Sequence, residues 1–144
     1  MTPLLSLQQA AQELNLPYGY VEQDWGITNA DATRLGVFVA YYVRHRRVFP
    51  DWNVEFSLGE LLLESANDVL RDGTGPLHDV EAAVQAILSQ QGEAPTQALL
   101  DYWVNLDRID DGDQDASAWY PVAALLRTRK AHLSAPAECG GTGL

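Results

Sequence analysis

The sequence predicts an all-α fold: a compact bundle of about six helices around one buried central helix. Three observations carry this. Apolar residues recur at i, i+3, i+4 and i+7 through most of the chain, and no apolar/polar alternation persists over four residues. Between these segments stand helix stop and start residues, with Pro at openings and Gly at closings. At 144 residues the chain suits a single domain, expected over 1–133, with 134–144 as a flexible tail.

Ser6 with Gln9 has the form of a capping box, and Leu7, Ala10, Ala11 and Leu14 follow on one face. Pro17 ends that helix. The next stretch, 16–27, holds two Gly, a Pro and three aromatics (Tyr18, Tyr20, Trp25) without a period. It reads as an ordered loop, with a short extended piece in 17–27 as the alternative.

Thr28 with Asp31 reads as the cap of the central helix, about residues 29–48, and Pro50 as its stop. Leu35 to Val43 carries no charge. Leu35, Phe38, Val39 and Tyr42 make one apolar face, and Val37, Tyr41 and Val48 a second, so this helix is expected to be surrounded by others. Arg44, His45, Arg46 and Arg47 close it. Cations near a helix C-terminus are favoured by about 0.3–1 kcal/mol each, so the cluster reads as a helix ending, with Arg46 or Arg47 paired to Asp51 or Glu55.

Asp51 to Phe56 is expected to connect this helix to one capped by Ser57 and Glu60, with Leu58, Leu61, Leu62, Ser65 and Val69 inward. Gly73 and Gly75 suit the positions after its end. Pro76 opens a helix with Leu77, Val80, Val84, Ile87 and Leu88 on its face, and Gly92 closes it. Pro95 opens another, with Leu99, Leu100, Trp103, Val104 and Leu106 inward. Ser117 caps the last, where Val122, Leu125 and Leu126 face in.

Charge is the most informative pattern for function. Lys and Arg number 9 against 20 Asp and Glu, a net charge of −11. From Asp51 to Leu126 there are 15 acids against two Arg, a net −13. Such a surface disfavours direct binding to nucleic acid or an anionic membrane and favours a basic protein partner. Glu60, Glu64, Asp68 and Asp72 recur every four residues along one helix. Like charges at this spacing oppose helix formation by about 0.2–0.5 kcal/mol per pair, a cost a basic partner would offset. The row reads either as a solvated outer face or as a partner-binding stripe.

Asp110, Asp111, Asp113 and Asp115, with Asp107 before them, extend the candidate acidic surface. In an EF-hand register with Gly112 at the sixth position, the third falls on Ile109 and the twelfth on Ala118, so two ligands are missing and no metal is assigned. The three His (His45, His78, His132) have no zinc spacing, and no phosphate loop or nucleophile motif occurs. Catalytic residues and cofactors are therefore not assigned, and a small helical enzyme without a motif is the lesser reading. Cys139 is the single cysteine, so no internal disulfide forms. No cationic leader precedes an apolar core, and Leu35 to Val43 is about half the roughly 20 residues that span a bilayer, so a cytoplasmic protein is expected.

The functional expectation is an acidic protein-binding module of the inhibitor or immunity type. It would neutralise a basic partner through Glu60, Glu64, Asp68, Asp72, Asp110, Asp111, Asp113 and Asp115. The alternative is a structural or adaptor protein that forms homo-oligomers through the aromatics of 16–27 and Trp52.

Overall fold

A computed structural model describes residues 6–17, 25–46, 52–106 and 120–134. The described residues form α1 (Leu7–Leu14), α2 (Trp25–Thr28), a 3-10 turn (Ala32–Arg34), α3 (Leu35–His45), α4 (Trp52–Asp72), α5 (Leu77–Leu88), α6 (Ala94–Trp103) and α7 (Pro121–Ser134). There is no strand among them, as the all-α reading requires. No described helix is long and apolar enough to cross a membrane.

The helix at the centre is α4, which touches α1, α2, the 3-10 turn, α3, α5, α6 and α7. This corrects the placement of the centre at 29–48. Helix α3 buries Leu35, Phe38, Val39, Tyr41 and Tyr42 against α4 and α5, but Val37 is 53% exposed and Val43 is also exposed. Of its expected second face only Tyr41 turns inward, and Val48 lies outside the described residues. An uncharged helix is buried only as far as neighbours exist to cover it. The neighbours of α3 lie on one side.

Helix α4 also begins earlier than the capping pattern predicts. Val54 extends the apolar face one turn before Leu58 and is buried, and Trp52 stacks on Phe56 at 4.7 Å between ring centroids. These contacts continue the helix through 52–56, and Ser57 becomes a buried interior residue rather than a cap.

Two glycines let other helices approach α4 closely. A Cβ on Gly26 would lie 2.8 Å from the Leu61 backbone nitrogen, so α2 crosses α4 at backbone distance. A Cβ on Gly59 would lie 2.6 Å from Leu99 Cδ2, which fits α6 against the same helix.

The polar residues of α4 find partners at the beginnings of other elements. Ser65 Oγ accepts from the Asp31 N–H at 2.9 Å, and Asn67 Oδ1 accepts from the Val122 N–H at 3.2 Å. Each satisfies a donor that the start of a helical segment leaves unpaired. Thr96 Oγ1 donates to Glu55 Oε2 at 2.8 Å, and burial pushes the Glu55 carboxyl above its ordinary value. Glu55 is therefore engaged with α6, not with Arg46 as the sequence suggested. Arg46 donates to Ser89 Oγ at 3.0 Å, while Arg47 and Asp51 lie outside the described residues.

Other local signals are met in part, and Trp25–Thr28, whose first residues were expected within the 16–27 loop, is helical as α2, with 18–24 outside the described residues. Ser6 Oγ accepts from the Gln9 N–H at 3.0 Å. Asp31, not Thr28, is the effective cap before α3, with its Oδ1 accepting from the Thr33 N–H at 2.9 Å. Pro95 lies in the first turn of α6 and Pro121 in that of α7. Leu77, expected inward, is exposed. Ser117 and the tail from 135 onward lie outside the described residues.

Candidate functional site

The carboxylate row does lie along one side of α4, but that side is not uniformly open. Glu60 is only 7% exposed. Glu64 is half-buried, and its carboxyl is pushed up to about 7, chiefly by burial and further by the charge of Asp68. The Tyr102 phenol is raised by its own burial and by the proximity of Tyr120, Glu64 and Glu60. Those interactions place the Glu60–Glu64 half of the row beside α6 and the approach to α7. A stripe of four solvated charges is therefore not what the fold presents.

The other half opens outward. Asp68 is raised, first by burial, with Arg71 opposing and the charges of Asp72 and Asp31 adding. Arg71 binds Asp68 at 2.8 Å and Asp72 at 3.2 Å. The Asp72 side chain is 53% exposed. Asp31 comes to this end from the segment before α3. Asp79 comes from the first turn of α5, so close to α3 that a Cβ on Gly36 would lie 3.1 Å from its Oδ2. The chain crosses here because Gly75, at φ 84, turns back beside Val69 and the Ala32 carbonyl.

This end of the bundle thus gathers Asp31, Asp68, Asp72 and Asp79. Sequence reading found Asp68 and Asp72 and missed the other two. Asp31 looked like a cap and Asp79 an ordinary first-turn acid, and only the αα crossing at 72–76 brings them together. Asp110, Asp111, Asp113 and Asp115 lie outside the described residues.

The basic residues explain why the acid stays unbalanced. Arg34 donates to the Leu14 carbonyl, and Arg127 donates to the Val104 carbonyl at 2.8 Å. Arg129 makes a two-pronged pair with Glu81 at 3.0 and 3.1 Å. Arg71 and Arg46 are engaged as described. Arg34, Arg46, Arg127 and Arg129 thus close helix ends or cross-link helices.

A second polar region lies between α1 and α3. Tyr41 donates from its hydroxyl to Glu13 Oε1 at 2.6 Å, and Gln9 Nε2 donates to Glu13 Oε2 at 3.2 Å. These bonds hold the Glu13 carboxyl below its ordinary range, with His45 and Arg44 adding a smaller effect. The His45 ring lies 4.2 Å from that of Tyr41, and the Arg44 guanidinium sits over the Tyr41 ring at 5.7 Å. Glu13, Leu14, Val37, Tyr41, Arg44 and His45 line a cavity of about 390 Å³. Sequence reading treated Arg44 and His45 as a helix ending and gave Glu13 no role. Nothing local in the sequence links residues 13 and 41.

Comparison of the chain with protein-family models, curated proteins and solved structures gave no match.

Proposed function

We propose that this protein is an acidic protein-binding module that docks a basic partner by charge complementarity, in the manner of an inhibitor or immunity protein. One observation carries the reading. Arg34, Arg46, Arg127 and Arg129 are each bonded to other parts of the fold, while Asp31, Asp68, Asp72 and Asp79 meet at one end of the bundle, where Arg71 pairs with Asp68 and Asp72 and the His78 ring lies 3.3 Å from Asp79. Acid in excess of its neighbouring cations steers a positively charged partner and speeds its association. The docking surface is this end, rather than the whole Glu60–Asp72 row. A cytoplasmic setting belongs to the same proposal.

The test is capture of basic proteins from the native host on the immobilised chain, followed by association kinetics of the captured protein. Asp72→Lys combined with Asp79→Asn should slow association about tenfold at low salt and flatten its salt dependence. Unchanged kinetics in a folded double variant would sink the proposal.

One observation favours self-association as a second reading. Trp52 is 46% exposed while stacked on the partly buried Phe56, and an exposed Trp held in this way suits an interface. Sedimentation across concentrations separates the two: a stable dimer abolished by Trp52→Ala supports self-association, and a strict monomer excludes it.

A further inference from the structure

The cavity between α1 and α3 is built from opposite charges that are fixed but do not hydrogen-bond to each other. Glu13 is anchored on both carboxylate oxygens and stays ionised, its charge lowered in proton affinity by those bonds. Arg44 differs from every other described Arg. Its guanidinium rests on the Tyr41 ring and has no hydrogen-bond acceptor among the described residues, so its five N–H donors remain available. His45 Nδ1 faces the Tyr41 carbonyl at 2.9 Å, and a carbonyl only accepts, so the ring proton sits on Nδ1. In the neutral ring Nε2 is then an acceptor, and it has no partner among the described residues.

We infer that this cavity, lined by Glu13, Tyr41, Arg44 and His45, binds a small zwitterion of amino-acid size. The site is separate from the acidic end and does not depend on its role. The ligand's carboxylate meets the Arg44 guanidinium, which presents the planar fork that carboxylates bind. The ligand's ammonium meets Glu13, with His45 Nε2 as a second acceptor. Leu14 and Val37 give its carbon stem an apolar wall. A simple anion is opposed by Glu13, and a simple cation by Arg44. Only a molecule with both charges answers both sides. The volume of about 390 Å³ accepts a free amino acid or a dipeptide.

The experiment is a titration of the whole protein, followed by calorimetry and by amide chemical shifts, with the common amino acids and a panel of dipeptides. For the tightest ligand, the N-acetylated and the carboxamide forms are titrated beside it. Saturable binding is expected for zwitterions, with shifts centred on residues 13 and 41–45, and blocking either charge should weaken it about tenfold or more. Arg44→Gln should abolish it. Glu13→Gln keeps an acceptor for Tyr41 and should weaken it comparably, with the circular dichroism of both variants unchanged. Preference for a dipeptide over the free amino acid would set the spacing of the ligand's two charges one residue longer. No saturable binding across the panel, equal binding of the N-acetylated form, or retention of binding in Arg44→Gln would each overturn the inference.

Discussion

Helices α3 and α4 make an instructive pair. Helix α3 has an uncharged core segment and lies at the edge of the bundle, with Val37 and Val43 exposed. Helix α4 carries Glu55, Glu60, Glu64 and Asp68, yet touches every other described element. Apolar content alone did not decide which became the axis. Helix α4 has 21 residues against 11, so it can receive more neighbours along its length. It also has Gly59, Ser65, Ala66 and Asn67 where neighbours approach, and its polar atoms have partners on the elements that cover them. A polar residue is cheap to bury when its bond is made and costly when it is not.

This difference can be probed residue by residue. The largest effect should come from the inward face of α3. Phe38→Ala should destabilise by about 3–5 kcal/mol in chemical denaturation, because Phe38 is fully enclosed. A loss below about 1 kcal/mol would mean that α3 barely packs at all. Next comes the polar burial of α4. Asn67→Ala strips the acceptor from the Val122 N–H and should cost about 1–3 kcal/mol, with early fraying of α7 visible in hydrogen exchange. A neutral result would show that the bond does not anchor that helix. The smallest effect should be Val37→Ala, within about 0.5 kcal/mol, since that side chain faces outward. A loss as large as that of Phe38→Ala would restore α3 to the centre.

The same contrast explains what was legible in the sequence. Helix positions were readable because caps and period are local: Ser6, Pro76, Pro95 and the faces of α5 and α6 needed no tertiary knowledge. The central helix was misjudged because burial depends on neighbours, which a 3.6-residue period does not report. Trp52 to Phe56 looked like a connector because Asn53 and Glu55 interrupt it, and the Thr96 bond that accommodates Glu55 comes from 41 residues away. The acidic site was half legible. Asp68 and Asp72 share a helix face and could be found by spacing. Asp31 and Asp79 join them only through the fold, as Glu13 joins Tyr41.

Burial of the acidic row also has a consequence for pH. The folded Glu64 carboxyl is raised from 4.5 to about 7, so the folded state holds its proton more tightly than the unfolded chain. Stability contributed by the protonated form is present below about pH 4.5 and is lost as pH rises through about 7. Glu55 and Asp68, also raised, act with the same sign. Glu64→Gln should remove part of that slope and leave the protein more stable than the unaltered chain above pH 7.

The central claim is that the Glu60–Glu64 half of the acidic row is folded into the bundle while the Asp68–Asp72 half opens outward. It is tested most directly by following the Glu64 side-chain carboxyl carbon by NMR across pH. A midpoint near 7 is the result this account predicts. A midpoint near 4.5, the ordinary value for a solvated glutamate, would return Glu64 to an open stripe and contradict it.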